Sequence, residues 1–431
     1  MSKNTNKIKS IDLFAGCGGL MEGFEQSGFY KTLAAVEWEK APCENLKIRL
    51  KDKWKYHNSE EIVMQFDMQR TDELFEGWNE EKYGASKGLD YIVNKNSGID
   101  IIIGGPPCQA YSIAGRVRDE NGMKDDYRNY LFESYLKVVK KYSPKLFVFE
   151  NVPGLLSAKP GDRNIVDIIK EQFEEAGYSI LEDLKNAIID FTEYGVPQNR
   201  KRIIIVGLNK FYFDNSNEIL KEFYEIILPR YKSSRKTTVK DAISDLPKLF
   251  PLDHDIKFNG RRTSYTLPEP FIQNHVARWH SERDKKVFKI LTTDIESGRN
   301  EYVSTEKLKE LYTQITGKNS NVHKYYVLRW DKPSNLIPAH LYKDGLRHIH
   351  PDSSQLRTLT VREAARLQTF PDDYVFYGSN TETYKMIGNA VPPLFSKKLA
   401  LALKEFLDKY DQGGKWWHTQ QKMRFKHFWI I

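Results

Sequence analysis

Cysteine is scarce in this chain: three residues in 431, at positions 17, 43 and 108, with no Cys-x-x-Cys pair. That spacing argues against a disulfide scaffold and against a zinc site, and fits a reducing cytoplasm. Long apolar runs are missing too. No stretch of about 18 such residues occurs, so nothing spans a membrane as a helix. The N-terminus, Met1-Ser2-Lys3-Asn4-Thr5, leads into a strand without an apolar signal segment. A third absence is of glycine at one position. In Gly16-Cys17-Gly18-Gly19-Leu20-Met21, methionine stands where a nicotinamide or flavin fold wants the last glycine of Gly-x-Gly-x-x-Gly. That fingerprint therefore fails.

What remains is ample for a folded enzyme. The length suggests one large domain with a second beside it, and 40% hydrophobic residues can bury a sizeable core. The net charge of +8 is unevenly placed. Residues 208–350 hold 25 Lys+Arg against 18 Asp+Glu, an excess of seven, and seven of the ten histidines. The rest of the chain carries 41 basic and 40 acidic residues, so the positive excess sits in one segment suited to a polyanion.

Apolar runs bounded by glycine and proline predict strands buried on both faces, as in a parallel sheet. Lys7 to Leu13 is the first, ending in the glycine turn Phe14-Ala15-Gly16-Cys17-Gly18-Gly19-Leu20. Such a turn lets backbone approach a ligand and aims helix N–H groups at it. Thr32 to Val36 is the second, ending at Glu37-Trp38, where an acid can accept from ribose hydroxyls and an indole can cover an adenine face. Met64-Gln65-Phe66-Asp67 reads as a third strand end, with Asp67 placed for an adenine amino group. Residues 70–98 are polar and irregular, in keeping with short helices.

Ile99 to Ile103 leads into Gly104-Gly105-Pro106-Pro107-Cys108-Gln109, which presents a thiol just past a strand's carboxyl end, where ligands of open α/β sheets bind. Cys108 there is a candidate nucleophile. Ser112 to Tyr127 reads as a long mobile loop able to act as a lid. A helix follows from Asn129 to Tyr142, with Leu131, Tyr135, Val138 and Val139 on one face. Lys145 to Phe149 is the next buried strand and ends at Glu150, an acid suited to proton transfer if burial raises its pKa.

A helix is expected from Asp162 to Gly177, then a strand from Ser179 to Phe191. Tyr194-Gly195-Val196-Pro197-Gln198-Asn199-Arg200-Lys201-Arg202 opens a further strand, and period-two alternation puts Arg200 and Arg202 on one face. Two guanidiniums at the site's edge suit phosphate or a base carbonyl. From Lys210 to about Leu356 the α/β alternation stops, and basic and aromatic residues mix as in nucleic-acid readers. Thr360 and Glu363 form a capping box, so a helix starts there. Residues 384–393 lead into a last helix with Phe395, Leu399, Leu403 and Phe406 on its apolar stripe. The tail from Trp416 to Ile431 is basic and aromatic.

Taken in this order, the chain resembles the cytosine-C5 DNA methyltransferase family of the bacterial restriction-modification type. Gly-Pro-Pro-Cys-Gln, Glu150-Asn151-Val152, Tyr-Gly-Val-Pro-Gln-x-Arg-x-Arg and Gly388-Asn389-Ala390-Val391-Pro392 carry the resemblance, which covers nearly everything except residues 210–331. Tyr111 departs from the family's usual Phe, and the surroundings of Asp67 match loosely.

The resemblance implies an α/β fold: a Rossmann-like S-adenosylmethionine-dependent methyltransferase domain with a mainly parallel sheet, plus a smaller irregular target-recognition domain. Residues 1–209 would be the catalytic domain, 210–356 the target-recognition domain, and 357–431 a segment returning to the catalytic domain. Phe14, Ala15, Gly16, Gly18, Gly19, Leu20, Glu37, Trp38, Asp67, Pro106, Leu131, Asn389 and Ala390 would line the S-adenosylmethionine pocket. Cys108 would attack C6 of a flipped cytosine. Glu150 would protonate N3 and Arg202 would hold O2, with Arg200 and Gln198 supporting the pocket.

The expected partner is double-stranded DNA. The enzyme would be a cytoplasmic monomer, associated with the nucleoid through DNA, and a cognate restriction endonuclease encoded nearby would act without a stable complex. Three rival activities fit these residues less well. Amino methylases carry an aromatic residue after Pro-Pro where this chain has Cys108. A tRNA cytosine-5 methyltransferase shares the motifs but has less need of a long basic segment for groove readout. A non-catalytic DNA-binding regulator on this scaffold would not need Cys108, Glu150 and Arg202 together.

Overall fold

Branched and aromatic residues, Ile101-Ile102-Ile103 and Leu146-Phe147-Val148-Phe149 among them, build the centre of the molecule. In the computed structural model they lie almost wholly out of solvent. The structure describes residues 7–107, 131–159, 163–343 and 345–411. Cys108, Tyr111, the expected lid at Ser112–Tyr127 and the tail from Trp416 lie outside the described residues.

Strands β1 (Ile8–Leu13), β2 (Tyr30–Glu37), β3 (Val63–Gln65), β4 (Trp78–Glu80), β5 (Gly84–Ser86), β6 (Ile101–Gly104), β7 (Leu146–Asn151), β8 (Tyr178–Ser179), β9 (Ile188–Asp190) and β10 (Lys201–Asn209) precede a later hairpin of β11 (Pro251–Phe258) and β12 (Arg261–Tyr265). Eight of them form the main sheet, in the order β3-β2-β1-β6-β7-β10-β8 with β9 also on β10. The pairs β3/β2, β2/β1, β1/β6 and β6/β7 are parallel. β10 is antiparallel to β7, β8 and β9. The fold is therefore the expected α/β class with a mainly parallel sheet.

Strand order reverses at β1, which lies between β2 and β6, and such a switch point is where open α/β sheets leave a crevice for ligands. Leu13 pairs with Val36 on one side and Gly104 on the other, so three strand ends come level. Because β10 runs the opposite way, its first residues reach that same rim.

Helices cover both faces. α1 (Gly19–Gln26) packs on the C-terminal helix Pro393–Tyr410 so closely that a Cβ on Gly23 would lie 2.3 Å from Ser396 Cβ and 2.6 Å from Pro393 O. α2 (Lys40–Asp52) follows β2. Phe213, Leu220, Phe223 and Ile227 join the sheet's core, whereas Val239, Ile243, Leu328 and Ile337 pack with Leu359, Ala364 and Ile387. Val287, Phe288, Leu291, Leu308 and Ile349 make a separate small core.

Two segments differ from expectation. Residues 179–191 are not one strand but β8, a 3-10 turn at Leu184–Ala187 and β9, because Asp183 caps the turn by accepting from Lys185 N. Within 70–98 the expected short helices are present, Thr71–Glu76 and Gly88–Lys95, and the difference is the β4–β5 hairpin between them. No helix among the described residues is long and apolar enough to cross a membrane.

Candidate active site

The turn after β1 holds Phe14 at φ 59, Gly16 at φ 55 and Gly18 at φ 79, left-handed values that only the glycines adopt without steric cost. Gly18 caps α1 with no side-chain hydrogen bond, and a Cβ on Gly16 would meet nothing within 4 Å. Gly19 has no such freedom: its Cβ would lie 2.3 Å from Val391 O and 3.0 Å from Ala390 Cβ. Ala15 and Leu20 are buried beside it. The loop thus packs against residues 390–391 at its base while Gly16 faces open space.

Glu37 ends β2 almost wholly buried. Its Oε2 accepts from Gly16 N at 2.8 Å, and its Oε1 accepts from Trp38 N and Glu39 N, both at 2.9 Å. Burial raises its pKa, and these three N–H groups act against that rise. Trp38 beside it is 52% exposed, an indole with a free face for a planar ligand. Asp67 is half-buried and its Oδ1 caps the next turn by accepting from Gln69 N at 3.0 Å. An open glycine turn, a lined-up acid and an exposed indole fit an adenosine-containing donor.

The acid end of the rim is tighter. A Cβ on Gly105 would fall 2.7 Å from Glu150 Oε2, so a side chain there would push that carboxylate aside. Asn151 Nδ2 donates to Pro106 O at 3.5 Å, tying the Pro-Pro loop to the end of β7. Glu150 pairs with Arg202, Nε to Oε1 at 2.9 Å, across the β7/β10 pairing. Leu131 is buried at the start of its helix, on the other side of the segment that contains Cys108.

Arg200 behaves differently from Arg202. It precedes β10 and is 2% exposed, with Nη1 donating to Gly388 O at 3.3 Å and Nη2 to Ala390 O at 3.0 Å. It does not sit at the edge of the site as alternation suggested, because the strand's regular twofold pattern starts one residue later. Gln198 is wholly buried as well. Its Nε2 donates to Leu367 O at 3.2 Å and to Gln368, and its Oε1 accepts from Ile337 N at 3.0 Å. Asn389 is exposed between the two carbonyls that Arg200 holds.

Two features escaped the sequence reading. Asp12, in the middle of β1, is buried with Oδ2 unpartnered, and burial holds its pKa well above the ordinary carboxylate range. An acid inside the apolar run Ile11-Asp12-Leu13 was the available signal. Gln368, whose Nε2 donates to Ala390 O, carries no sequence signal. Cys17 and Cys43 are buried free thiols whose pKa burial pushes up.

Residues 8–405 match the family model for the C-5 cytosine-specific DNA methylases. The chain belongs to that family. Among its relatives, a type II methyltransferase of Bacillus paralicheniformis is 36% identical, covering 92% of this chain and 99% of the relative. Type II methyltransferases of Haemophilus parahaemolyticus and Desulfomicrobium norvegicum are each 33% identical, over 91% and 90% of this chain and 86% and 87% of theirs. In fold, it is similar to a prophage-encoded Escherichia coli protein assigned as a DNA modification methyltransferase (TM-score 0.61, 23% identity, 93% of this chain and 100% of that one). It is also similar to a methyltransferase of Entamoeba histolytica (TM-score 0.54, 15% identity, 94% and 99%). This C-5 cytosine DNA methylase is thus a DNA cytosine-5 methyltransferase of the restriction-modification type, and its family and fold imply S-adenosylmethionine as donor.

Proposed function

We propose that the enzyme methylates C5 of a cytosine rotated out of duplex DNA, through a transient bond between Cys108 and C6. Aromatic C5 is too poor a nucleophile to take a methyl group unaided. Addition of the Cys108 thiolate to C6, with proton delivery from Glu150 to N3, turns the ring into an enamine with its electron pair at C5. Arg202 holds O2 and keeps the Glu150 carboxyl aimed at the ring. When bound, S-adenosylmethionine supplies the electrophilic methyl group that this activated C5 takes. The C5 proton then leaves to water, its electron pair re-forms the C5–C6 double bond, the sulfur departs as thiolate, and the N3 proton returns to Glu150.

The observation that carries this reading is the Glu150–Arg202 pair at 2.9 Å beside Gly105, where the Pro-Pro-Cys loop begins. Residues around Gly16, Glu37, Trp38, Asp67 and Asn389 would hold the donor, with Glu37 accepting from ribose and Trp38 covering the adenine. Residues 210–356 would read the duplex. On their β11–β12 hairpin, Arg262 stacks over Trp279 at 4.5 Å, and Trp279 Nε1 donates to Asp255 at 2.9 Å. All three are on the surface, and Arg262 Nε also donates to Asp255 Oδ2 at 2.6 Å, so a phosphate would take over the guanidinium from that carboxylate while the indole enters the groove. The biological role would be protection of host DNA from a restriction endonuclease that forms no stable complex with this monomeric, cytoplasmic enzyme.

Bisulfite sequencing of DNA from cells expressing this chain alone tests the reading. It predicts protected cytosines at one short sequence, and uniformly converted DNA would refute it.

A further inference from the structure

Phe14 is the residue of the glycine turn that carries a side chain at left-handed φ, 59, beside Gly16 at φ 55 and Gly18 at φ 79. The glycines take such values freely, whereas an aromatic residue does so against a steric cost. Strain of this kind persists only where the surroundings over-determine it, and it gathers at ligand clamps.

Two sets of contacts hold the turn. Toward β2, Ala15 N donates to Val36 O at 3.0 Å and Gly16 N to Glu37 Oε2 at 2.8 Å. The other hold is Tyr374, 357 positions further along the chain, whose hydroxyl donates to Cys17 O at 2.6 Å. Cys17 and Tyr374 are each 1% exposed, so this bond is made out of water. The phenol has little freedom of its own. Its ring packs on Phe370 and Phe376, at centroid distances of 4.9 and 4.7 Å, and lies under the Arg49 guanidinium at 4.9 Å. Arg49 Nε donates to Glu22 Oε2 at 3.0 Å and its Nη1 to Asp373 O at 2.9 Å, which pins the chain entering Tyr374 to α1, the helix that the turn leads into.

We propose that Tyr374 is a positioning residue for the methyl donor: by holding the Cys17 carbonyl, its hydroxyl keeps Phe14 strained and the turn in the shape that the donor fits. This rests on the reading of the donor pocket given above. Tyr374 is too deeply buried to touch a ligand in that pocket and acts through the turn. Without the hydroxyl the buried carbonyl loses that partner, and Phe14 is released toward negative φ, which carries Gly16 away from Glu37. The donor then binds only the fraction of molecules that keep the native turn, and its apparent affinity falls by that fraction.

The test is a double-mutant cycle read by calorimetry with S-adenosylhomocysteine. Tyr374→Phe keeps the ring and its packing. It is expected to weaken binding about fivefold, with kcat at saturating S-adenosylmethionine within about twofold of wild type and duplex affinity unchanged. In a Phe14→Gly background, where glycine adopts that φ unaided, removing the same hydroxyl should change Kd by less than about twofold. A merely structural role would weaken both backgrounds equally. Hydrogen exchange of the unliganded proteins gives an independent reading, and decides if Phe14→Gly binds too weakly to titrate. Tyr374→Phe should speed exchange at Gly16 N–H about fivefold more than at the amides of β1. The proposal is overturned by a wild-type Kd in Tyr374→Phe, by an equal loss in both backgrounds, by exchange accelerated equally in turn and strand, or by a Tyr374→Phe chain that does not fold. Trp38→Ala separates these results from failure of the pocket reading. If its Kd is unchanged as well, the donor sits elsewhere; if it is weakened while Tyr374→Phe is not, the role of Tyr374 alone is refuted.

Discussion

Arg202 Nε lies 2.9 Å from Glu150 Oε1, on neighbouring strands that run in opposite directions. The pairing of Ile204 with Glu150 sets that approach, so β10, running against each strand it pairs with, delivers a cation to the carboxylate. Breaking a largely buried pair leaves one charge uncompensated. Glu150→Gln keeps the shape and removes the transferable proton. Single-turnover methylation should fall about 10²- to 10⁴-fold, with S-adenosylhomocysteine affinity by calorimetry nearly unchanged. Activity within tenfold of wild type would mean that N3 obtains its proton elsewhere.

Trp38 is half exposed next to a Glu37 carboxylate already held by three backbone N–H groups. Removing the indole should weaken donor binding without disturbing that acid. For Trp38→Ala the expected loss is about 1 kcal/mol, near fivefold in Kd for S-adenosylhomocysteine. An unchanged Kd would show that the adenine sits elsewhere.

A Cβ on Gly23 would fall 2.3 to 2.6 Å from backbone and side-chain atoms of the C-terminal helix. Gly23→Ala should force α1 and that helix apart, costing about 1–3 kcal/mol in urea unfolding despite alanine's better helix propensity. A stabilised variant would contradict this packing.

His350 is buried against the Glu363–Arg357 ion pair, and its pKa is lowered to about 3. Burial is the main cause, the Arg357 charge adds to it, and Glu363 opposes it but is already engaged by that guanidinium. His275 and Asp352 complete the charged surroundings. An unfolded histidine takes its proton near pH 6.5, so between there and pH 3 the unfolded chain binds more protons, and stability is lost as pH falls. The raised carboxyls of Asp12 and Glu37 act in the opposite sense. The test is therefore a comparison: His350→Gln should flatten the pH dependence of unfolding by up to about 1.4 kcal/mol per unit between about pH 6 and pH 4. Parallel curves for variant and wild type would show that His350 is charged in the fold.

The parts of this architecture set by local pattern were legible in the sequence. Apolar runs marked β6 and β7 because a strand covered on both faces has no polar side. The capping box at Thr360 and Glu363 is present as read, Thr360 accepting from Glu363 N. What stayed hidden depends on distant partners. Arg200 meets carbonyls 188 and 190 residues away. Gln198 reaches Leu367, and no periodicity announces such contacts. Residues 179–191 looked like a strand because their composition suits one, but Asp183 and Asp190 each accept from an N–H two residues on and turn the chain.

The central claim is a sulfur–carbon bond at residue 108, and trapping measures it most directly. Duplex DNA with 5-fluorocytosine at the methylated site, incubated with enzyme and S-adenosylmethionine, should yield a complex that survives denaturing gels. Its cross-linked peptide should contain Cys108, and Cys108→Ser should bind S-adenosylhomocysteine normally yet form no such complex. Wild-type enzyme that methylates unmodified duplex but leaves the fluorinated duplex uncaptured, or captures it through another residue, would contradict the account.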